Sequence, residues 1–197
     1  WVLVAGLLAV APARAPAAAR EPLLLGDDER LLVFAPHPDD ETLAAGGLIQ
    51  EARALDLPVR VCFFTMGDNN ELAALFTRRH PALAPGPLRA SGQLRQNEAL
   101  AAATQLGLTA DDVVFLGYPD SGTLAIWTHH WQTVPPYRSP LTRANAVPYD
   151  SALTPGSAHA GEDVLDDLVD VIRDFRPTHL VLPHPADHNV DHRALHL

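Results

Sequence analysis

Lysine is absent from this 197-residue chain, and cysteine occurs once, as Cys62. A single cysteine excludes an internal disulfide framework and a zinc site built from several thiolates. All 14 basic residues are arginine, and the 24 acidic residues outnumber them, so the net charge is −10 with histidine neutral. Because binding to a nucleic-acid backbone requires a basic surface, this charge argues against a nucleic-acid partner. Cys62 lies in the apolar run VRVCFF and is expected to be a small buried side chain.

The start of the chain resembles a targeting segment. Its first residues, WVLVAGLLAVAPARAPAAAR, combine an apolar run with small residues of the A-x-A type, which is typical of a secretory signal. The apolar run is shorter than the roughly 20 residues that cross a bilayer. We therefore expect residues 1–25 to be a signal-like segment of an exported protein, periplasmic or extracellular, with a retained membrane anchor as the alternative. Because the chain opens on Trp1 and stops inside DHRALHL, where a helix is predicted to begin, we also expect it to be part of a longer protein.

Short apolar runs alternate with segments of helical periodicity through the rest of the chain. Strands are predicted over residues 31–35, 59–68, 113–117 and 179–183, the second running into a turn, and helices over residues 41–55, 91–107 and 163–175. Ser91 is expected to cap the second helix and Gly107 to end it. Strands alternating with helices predict a single α/β domain over residues 31–197 with a mostly parallel sheet.

Two segments carry further expectations. The third helix is amphipathic, and one apolar stripe is predicted to be its buried face: Val164, Leu165, Leu168, Val171, Ile172 and Phe175. Residues 118–162 are rich in proline, tryptophan, tyrosine and histidine, and a segment of this length without periodicity is usually a functional loop. We therefore predict a loop insertion there. Its aromatic cluster either packs on the domain or forms a sugar-stacking rim, and comprises Trp127, His129, His130 and Trp131.

Polar residues crowd the positions that follow the predicted strands. Ligands of parallel sheets bind beyond the carboxyl ends of the strands, and those positions hold His37, Asp39, Asp40, Asp68, Asp120, His184, Asp187, His188, Asn189, Asp191 and His192. Carboxylates this close together repel one another unless a cation lies among them. A divalent cation is therefore predicted. Imidazole and carboxylate ligands suit zinc, and two histidines with one carboxylate also suit iron(II), so the residues alone leave the metal open.

The motif HPDDE, residues 37–41, divides its polar groups between two tasks. Pro38 holds His37 extended before the chain turns into the helix, so His37 and Asp40 are expected to face one point while Asp39 points elsewhere. A free carboxylate beside a metal is a suitable general base. No G-x-G-x-x-G motif follows the first strand, which argues against a dinucleotide-binding enzyme.

Five segments together carry a family resemblance. In chain order they are APHPDDETLAAGG, TMGD, RQNEALAAATQLG, LGYPDSG and PHPADHNVDHRA. They resemble the LmbE-like (PIG-L) zinc de-N-acetylases, a family that includes the deacetylases of N-acetylglucosaminyl-phosphatidylinositol and of the mycothiol and bacillithiol pathways. The resemblance extends over about residues 31–197. It implies a Rossmann-like, three-layer α/β fold and hydrolysis of an N-acetyl group on an N-acetylglucosamine-type sugar.

The resemblance also assigns residues position by position. The zinc ligands of the family fall on His37, Asp40 and His192, and its general base falls on Asp39. Its substrate-binding positions are similar to Arg95 and Asp120, with Asp68 a weaker match.

One position departs from the family pattern. The family often has a histidine, three residues before the last ligand, that acts as general acid or stabilises the oxyanion, and Asn189 stands there in this chain. Asparagine donates a hydrogen bond to an oxyanion but is no proton donor at neutral pH. His188, or Asp39 once protonated, is the alternative acid. Asp187 and Asp191 are expected to orient ligand imidazoles or to cap the last helix.

These observations predict an exported, zinc-dependent N-acetyl hydrolase that acts on a small-molecule or glycoconjugate substrate. Two alternatives stay open. The first is a hydrolase of another N-acyl amide with the same metal site. The second is a non-catalytic sugar- or metal-binding module on the same fold, which the presence of Asn189 keeps in consideration.

Overall fold

Four parallel strands form a sheet within the residues that the computed structural model describes, which are 23–69, 84–132 and 134–197. The strands are β1 (Leu31–Ala35), β2 (Val59–Thr65), β3 (Val113–Tyr118) and β4 (His179–Val181). Their order across the sheet is β3-β2-β1-β4. The prediction of an α/β domain with a parallel sheet is therefore confirmed. Most of the signal-like segment predicted for residues 1–25 lies outside the described residues.

Helices flank this sheet. They are α1 (Asp40–Ala54), α2 (Pro85–Gln105), α3 (Thr123–His129), α4 (Gly161–Phe175) and α5 (Val190–Ala194), and a short 3-10 helix (Ala110–Asp112) precedes β3. Within the described part of the chain, no helix combines the length and the apolar character that crossing a membrane requires.

The second predicted helix starts earlier than its sequence indicates. Ala84 is the N-cap residue of α2, and Ser91 lies inside the helix, so the prediction that Ser91 caps it is wrong. Proline fits the first turn of a helix because the missing N–H would have no partner there, and Pro85 is the first residue of α2. The predicted end is confirmed, because Gly107 follows the C-cap residue with a φ of +81°.

The segment 118–162, predicted to be a loop insertion, includes a short helix and is packed onto the domain. It contains α3 and is tied back to the domain by backbone hydrogen bonds, such as Leu153 N–H to the Phe115 carbonyl at 2.7 Å. Trp127 packs against the core and its ring lies 5.3 Å from that of Trp131, which is 41% exposed. Of this aromatic cluster, Trp127 therefore contributes to packing, whereas His129 and Trp131 are exposed.

The core is built on β1 and β2, whose residues are buried on both faces of the sheet except for Arg60. Cys62 is fully buried, as its apolar run predicts. The buried face of α4 is narrower than the predicted stripe. Val164, Val171 and Phe175 are buried, whereas Leu165 is 41% and Ile172 is 37% exposed, so the prediction was wrong for these two residues.

Gly92 of α2 lies where a side chain does not fit. A Cβ atom there would lie 2.6 Å from Tyr149 Oη, 3.0 Å from Met66 Cβ and 3.1 Å from Asp68 Cβ. Because overpacking outweighs the better helix propensity of alanine, we expect Gly92→Ala to lower the free energy of unfolding by about 1–3 kcal/mol. Urea unfolding measures this change.

Gly47 of α1 provides the matched control, since a Cβ there would meet nothing within 4 Å. We expect Gly47→Ala to raise the free energy of unfolding by about 0.5–1 kcal/mol. Equal stabilisation by the two substitutions would contradict the close approach of α2 to Tyr149.

Candidate metal centre

The sheet order brings distant segments of the chain to one edge. β1 lies between β2 and β4, so the turn after β1, which carries His37 and Asp40, adjoins the segment between β4 and α5. The loop after β3 reaches the same edge and contributes Asp120, whose Oδ1 lies 3.6 Å from His37 Nε2. The contributing segments are far apart in sequence and meet only because the sheet is parallel.

The three predicted metal ligands converge on one point. His37 Nδ1 lies 3.2 Å and His192 Nε2 lies 3.3 Å from the same oxygen, Asp40 Oδ2. One ligand atom from each of these residues lies within 4.8 Å of the other two, and the two rings are tilted by 38° with centroids 5.3 Å apart. Two imidazole nitrogens and one carboxylate oxygen in this arrangement form a donor set that fits a divalent cation.

The second nitrogen of each imidazole contacts a carboxylate. His37 Nε2 lies 3.1 Å from Asp191 Oδ2, and His192 Nδ1 lies 3.1 Å from Asp187 Oδ2. A carboxylate that accepts a hydrogen bond from one ring nitrogen keeps the proton on that nitrogen. The lone pair of the other nitrogen, which faces Asp40, is then free to bind a metal. The tautomers that these contacts favour are therefore those that a cation between His37, Asp40 and His192 requires.

The electrostatics of the cluster favour a positive charge. Burial opposes protonation of His37, but hydrogen bonds with Asp120, Asp191 and Asp40 outweigh it and raise its pKa to about 11. Burial also opposes ionisation of Asp40, yet hydrogen bonds with His37 outweigh this and hold the Asp40 pKa below its usual range. A metal ion would supply the same positive charge at the same place.

Asp191 links His37 to α3 and to the turn before that helix. It is fully buried, and its carboxylate accepts hydrogen bonds from the backbone N–H groups of Ser121 at 2.7 Å and Thr123 at 3.3 Å, and from the Thr123 hydroxyl. Of the two tasks predicted for Asp191, it therefore performs the orientation of an imidazole. The task of capping α5 belongs to Asn189, whose Oδ1 accepts from Asp191 N–H at 2.8 Å.

Asp39, the predicted general base, lies outside the converging ligand set. Its backbone has a φ of +155°, which is rare for residues other than glycine. Its carboxylate is 54% exposed and pairs with Arg95, with Oδ2 3.0 Å from Nη2. The side chain makes no capping hydrogen bond to α1, so Asp39 does not act as a helix cap through its carboxylate.

Arg95 joins two of the turns at this edge. Besides Asp39, its guanidinium donates to the carbonyl oxygens of Pro38 and, at 3.3 Å, Gly67. A Cβ atom on Gly67 would lie 2.5 Å from Arg95 Nη1, so the glycine leaves room for these bonds. Arg95 was predicted to bind substrate, and this structure places it against Asp39. Its role in substrate binding stays a prediction.

The other two predicted substrate-binding residues differ in their surroundings. Asp120 accepts a hydrogen bond from Asn69 N–H at 3.2 Å and faces His37. Asp68 is buried behind it and accepts from the Tyr149 hydroxyl at 2.6 Å. Burial raises the Asp68 pKa to about 6, although the bond from Tyr149 opposes this shift. Asp120 therefore borders the site, and Asp68 contributes to the wall behind it.

The two alternative acids are placed differently. The His188 side chain is exposed and has no hydrogen-bond partner among the described residues. The Asn189 oxygen is committed to the α5 cap, which leaves the amide N–H₂ as its donor. The catalytic roles of both residues stay predictions.

Comparison with known proteins identifies the family. The family model described as PIG-L, GlcNAc-PI de-N-acetylase, matches residues 32–197. The chain belongs to the PIG-L family. A curated relative from Saccharopolyspora erythraea, 1D-myo-inositol 2-acetamido-2-deoxy-alpha-D-glucopyranoside deacetylase 1, is 32% identical over 169 residues, covering 83% of this chain and 48% of the relative. This PIG-L chain thus spans about half the length of that relative.

Two solved structures share the fold. N,N'-diacetylchitobiose deacetylase from Pyrococcus horikoshii has a TM-score of 0.55 at 19% identity, covering 86% of this chain and 47% of that one. GalB, a 4-carboxy-2-hydroxymuconate hydratase from Pseudomonas putida, has a TM-score of 0.54 at 22% identity, covering 85% of this chain and 52% of that one. One neighbour is a deacetylase and the other a hydratase, so the fold alone does not decide the reaction of this PIG-L protein.

A cavity of about 230 Å³ adjoins the predicted metal ligands of the PIG-L chain. Its lining is mainly apolar, with Val33, Ala45 and Leu182 among the contributors, and it also includes Asp40 and His192. Sequence reasoning missed the contacts of Thr123, Ser121 and Tyr149 with the site. All three lie beyond β3, far along the chain from the carboxylates they bind, and no local pattern marks them.

Proposed function

We propose that this PIG-L protein is a zinc-dependent hydrolase that removes the N-acetyl group from an N-acetylglucosamine-type sugar or glycoconjugate. The observation that carries the proposal is the convergence of His37 Nδ1 and His192 Nε2 on Asp40 Oδ2, at 3.2 Å and 3.3 Å, with the carboxylate of Asp39 outside this ligand set and paired with Arg95. The name of the S. erythraea relative, a deacetylase of a 2-acetamido sugar, supports the substrate class.

His37, Asp40 and His192 would hold the cation, which lowers the pKa of water and polarises a carbonyl when bound. Asp39 acts as the general base: it takes a proton from the water whose oxygen bonds to the acetamide carbon. The C–N bond then breaks, acetate is released, and the protonated Asp39 returns the proton to the leaving amine. Arg95 orients Asp39 through the 3.0 Å ion pair.

Two further residues fit this scheme. Because the Asn189 oxygen accepts from Asp191 N–H, its amide group is oriented as a hydrogen-bond donor. A donor aimed at the developing oxyanion stabilises it without transferring a proton. Asp120, at the border of the site, is placed to accept hydrogen bonds from sugar hydroxyls.

Acetate release from zinc-loaded protein tests the proposal. We expect hydrolysis of N-acetylglucosamine or a simple glycoside of it, and no hydrolysis after the metal is removed with a chelator. N-acetyl amino acids serve as control substrates that lack the sugar.

The alternatives have distinct outcomes. Turnover of other N-acyl amides but of no N-acetyl amino sugar would support the alternative of a hydrolase that acts on another N-acyl amide. Zinc binding without turnover of any such amide, in both the native protein and Asn189→His, would support a non-catalytic module. Because one structural neighbour is a hydratase, these assays must measure acetate release as well as the loss of substrate.

A further inference from the structure

We propose that Asp187 is a positioning residue that presents Nε2 of His192 to the metal centre. The inference rests on the proposed metal site and decides between the two tasks expected for Asp187, orienting a ligand imidazole or capping α5, whose N-cap residue is Asn189. Asp187 lies in the segment between β4 and α5, and its Oδ2 is 3.1 Å from His192 Nδ1.

The Asp187 carboxylate divides its two oxygens between two donors. Oδ2 contacts the imidazole, while Oδ1 accepts from the backbone N–H of Asn189 at 2.9 Å. The backbone N–H of Asp187 in turn donates to the His184 carbonyl at 3.0 Å. One side chain therefore fixes the path of the chain before α5 and the ring orientation of a ligand on α5.

His192 needs this support because its helix offers little. α5 spans five residues, and the His192 side chain is 19% exposed. An imidazole free to rotate or to carry its proton on Nε2 presents a donor rather than a lone pair to the metal. With Asp187 accepting at Nδ1, the proton stays on that atom and Nε2 faces Asp40.

The two ligand histidines are held in different ways. The partner of His37, Asp191, is fully buried and bound by three donors on α3 and the turn before it. Asp187 is more exposed, at 35%. Its contribution is therefore through its charge and its two acceptor oxygens, which a neutral amide of the same shape cannot reproduce.

Asp187→Asn is the decisive variant, since asparagine has one acceptor oxygen for two donors. Either the contact with Asn189 N–H or the contact with His192 Nδ1 is lost, and an amide N–H₂ facing Nδ1 favours the wrong tautomer. We expect the zinc dissociation constant, measured by competition with a chromophoric chelator, to rise about 10–100-fold. The visible spectrum of the cobalt(II) form should change as well, because it reports ligand geometry directly.

Asp111→Asn is the matched control, because Asp111 is exposed on the 3-10 helix. This substitution should leave the zinc dissociation constant and the cobalt(II) spectrum unchanged. Asp187→Ala tests whether Asp187 stabilises the segment between β4 and α5 or orients His192. A lower melting temperature of the metal-free protein with unchanged zinc affinity and cobalt spectrum would overturn the inference. Unchanged affinity and spectrum in Asp187→Asn would do the same while leaving the proposed function intact. Native protein that binds no zinc at all would overturn both.

Discussion

His192→Ala is expected to abolish stoichiometric zinc binding. The substitution removes one of the two imidazole nitrogens that converge on Asp40 Oδ2 and leaves a single histidine with one carboxylate. We expect an affinity loss larger than the roughly 10–100-fold that follows from altering an outer contact of a ligand. Elemental analysis of the purified protein and chelator competition measure it.

His196→Ala is the control for this prediction. His196 is exposed just beyond the end of α5, so its loss alters histidine content without touching the converging atoms. Full zinc occupancy in His192→Ala would show that the ligand set is wrong, and the hydrolytic proposal would lose its basis.

Asp39→Asn is expected to keep the metal and lose the activity. Asp39 lies outside the converging ligand set, so zinc content should equal that of the native protein. An amide does not accept a proton from water, and general-base catalysis typically contributes about 10²–10⁴-fold. The rate of acetate release should fall by that factor. Asparagine has the shape of aspartate, so we expect the turn at φ +155° to be kept.

Glu98→Gln provides the comparison for the loss of a carboxylate near the site. Glu98 is exposed on α2, one helical turn from Arg95, and this substitution should leave the rate unchanged. Native-like acetate release by Asp39→Asn would remove Asp39 from the role of base, and a simultaneous loss of zinc would place it among the ligands instead.

The sequence patterns that predicted the fold were those with a local physical cause. The buried run at residues 31–35 coincides with β1, because a short run of apolar residues bounded by polar ones is typical of a buried strand in an α/β domain. The start of α2 could not be found in this way. Two prolines and a glycine in residues 85–87 are typical of a loop, and only their place in the first helical turn makes them compatible with a helix.

The candidate site was predictable to the extent that its residues follow strands. His37, Asp40 and Asp120 lie directly after β1 and β3, so the direction of a parallel sheet places them at one edge. The partners of Asp39 and Asp191 were not predictable. Arg95 and Thr123 contact those carboxylates through tertiary packing between separate helices. The spacing of these residues in the sequence does not indicate the contacts.

The short pairing of β4 gives metal binding a consequence for the folding of the chain. β4 meets β1 over only three residue pairs, from Leu31–His179 to Val33–Val181, at the border of the sheet. An ion shared between the turn after β1 and α5 would add a further attachment for residues 179–197, besides the hydrogen bonds that join Asp191 to Ser121 and Thr123. Cation release would then make this last segment easier to detach from the sheet, and cation binding would stabilise the folded state in proportion to its affinity.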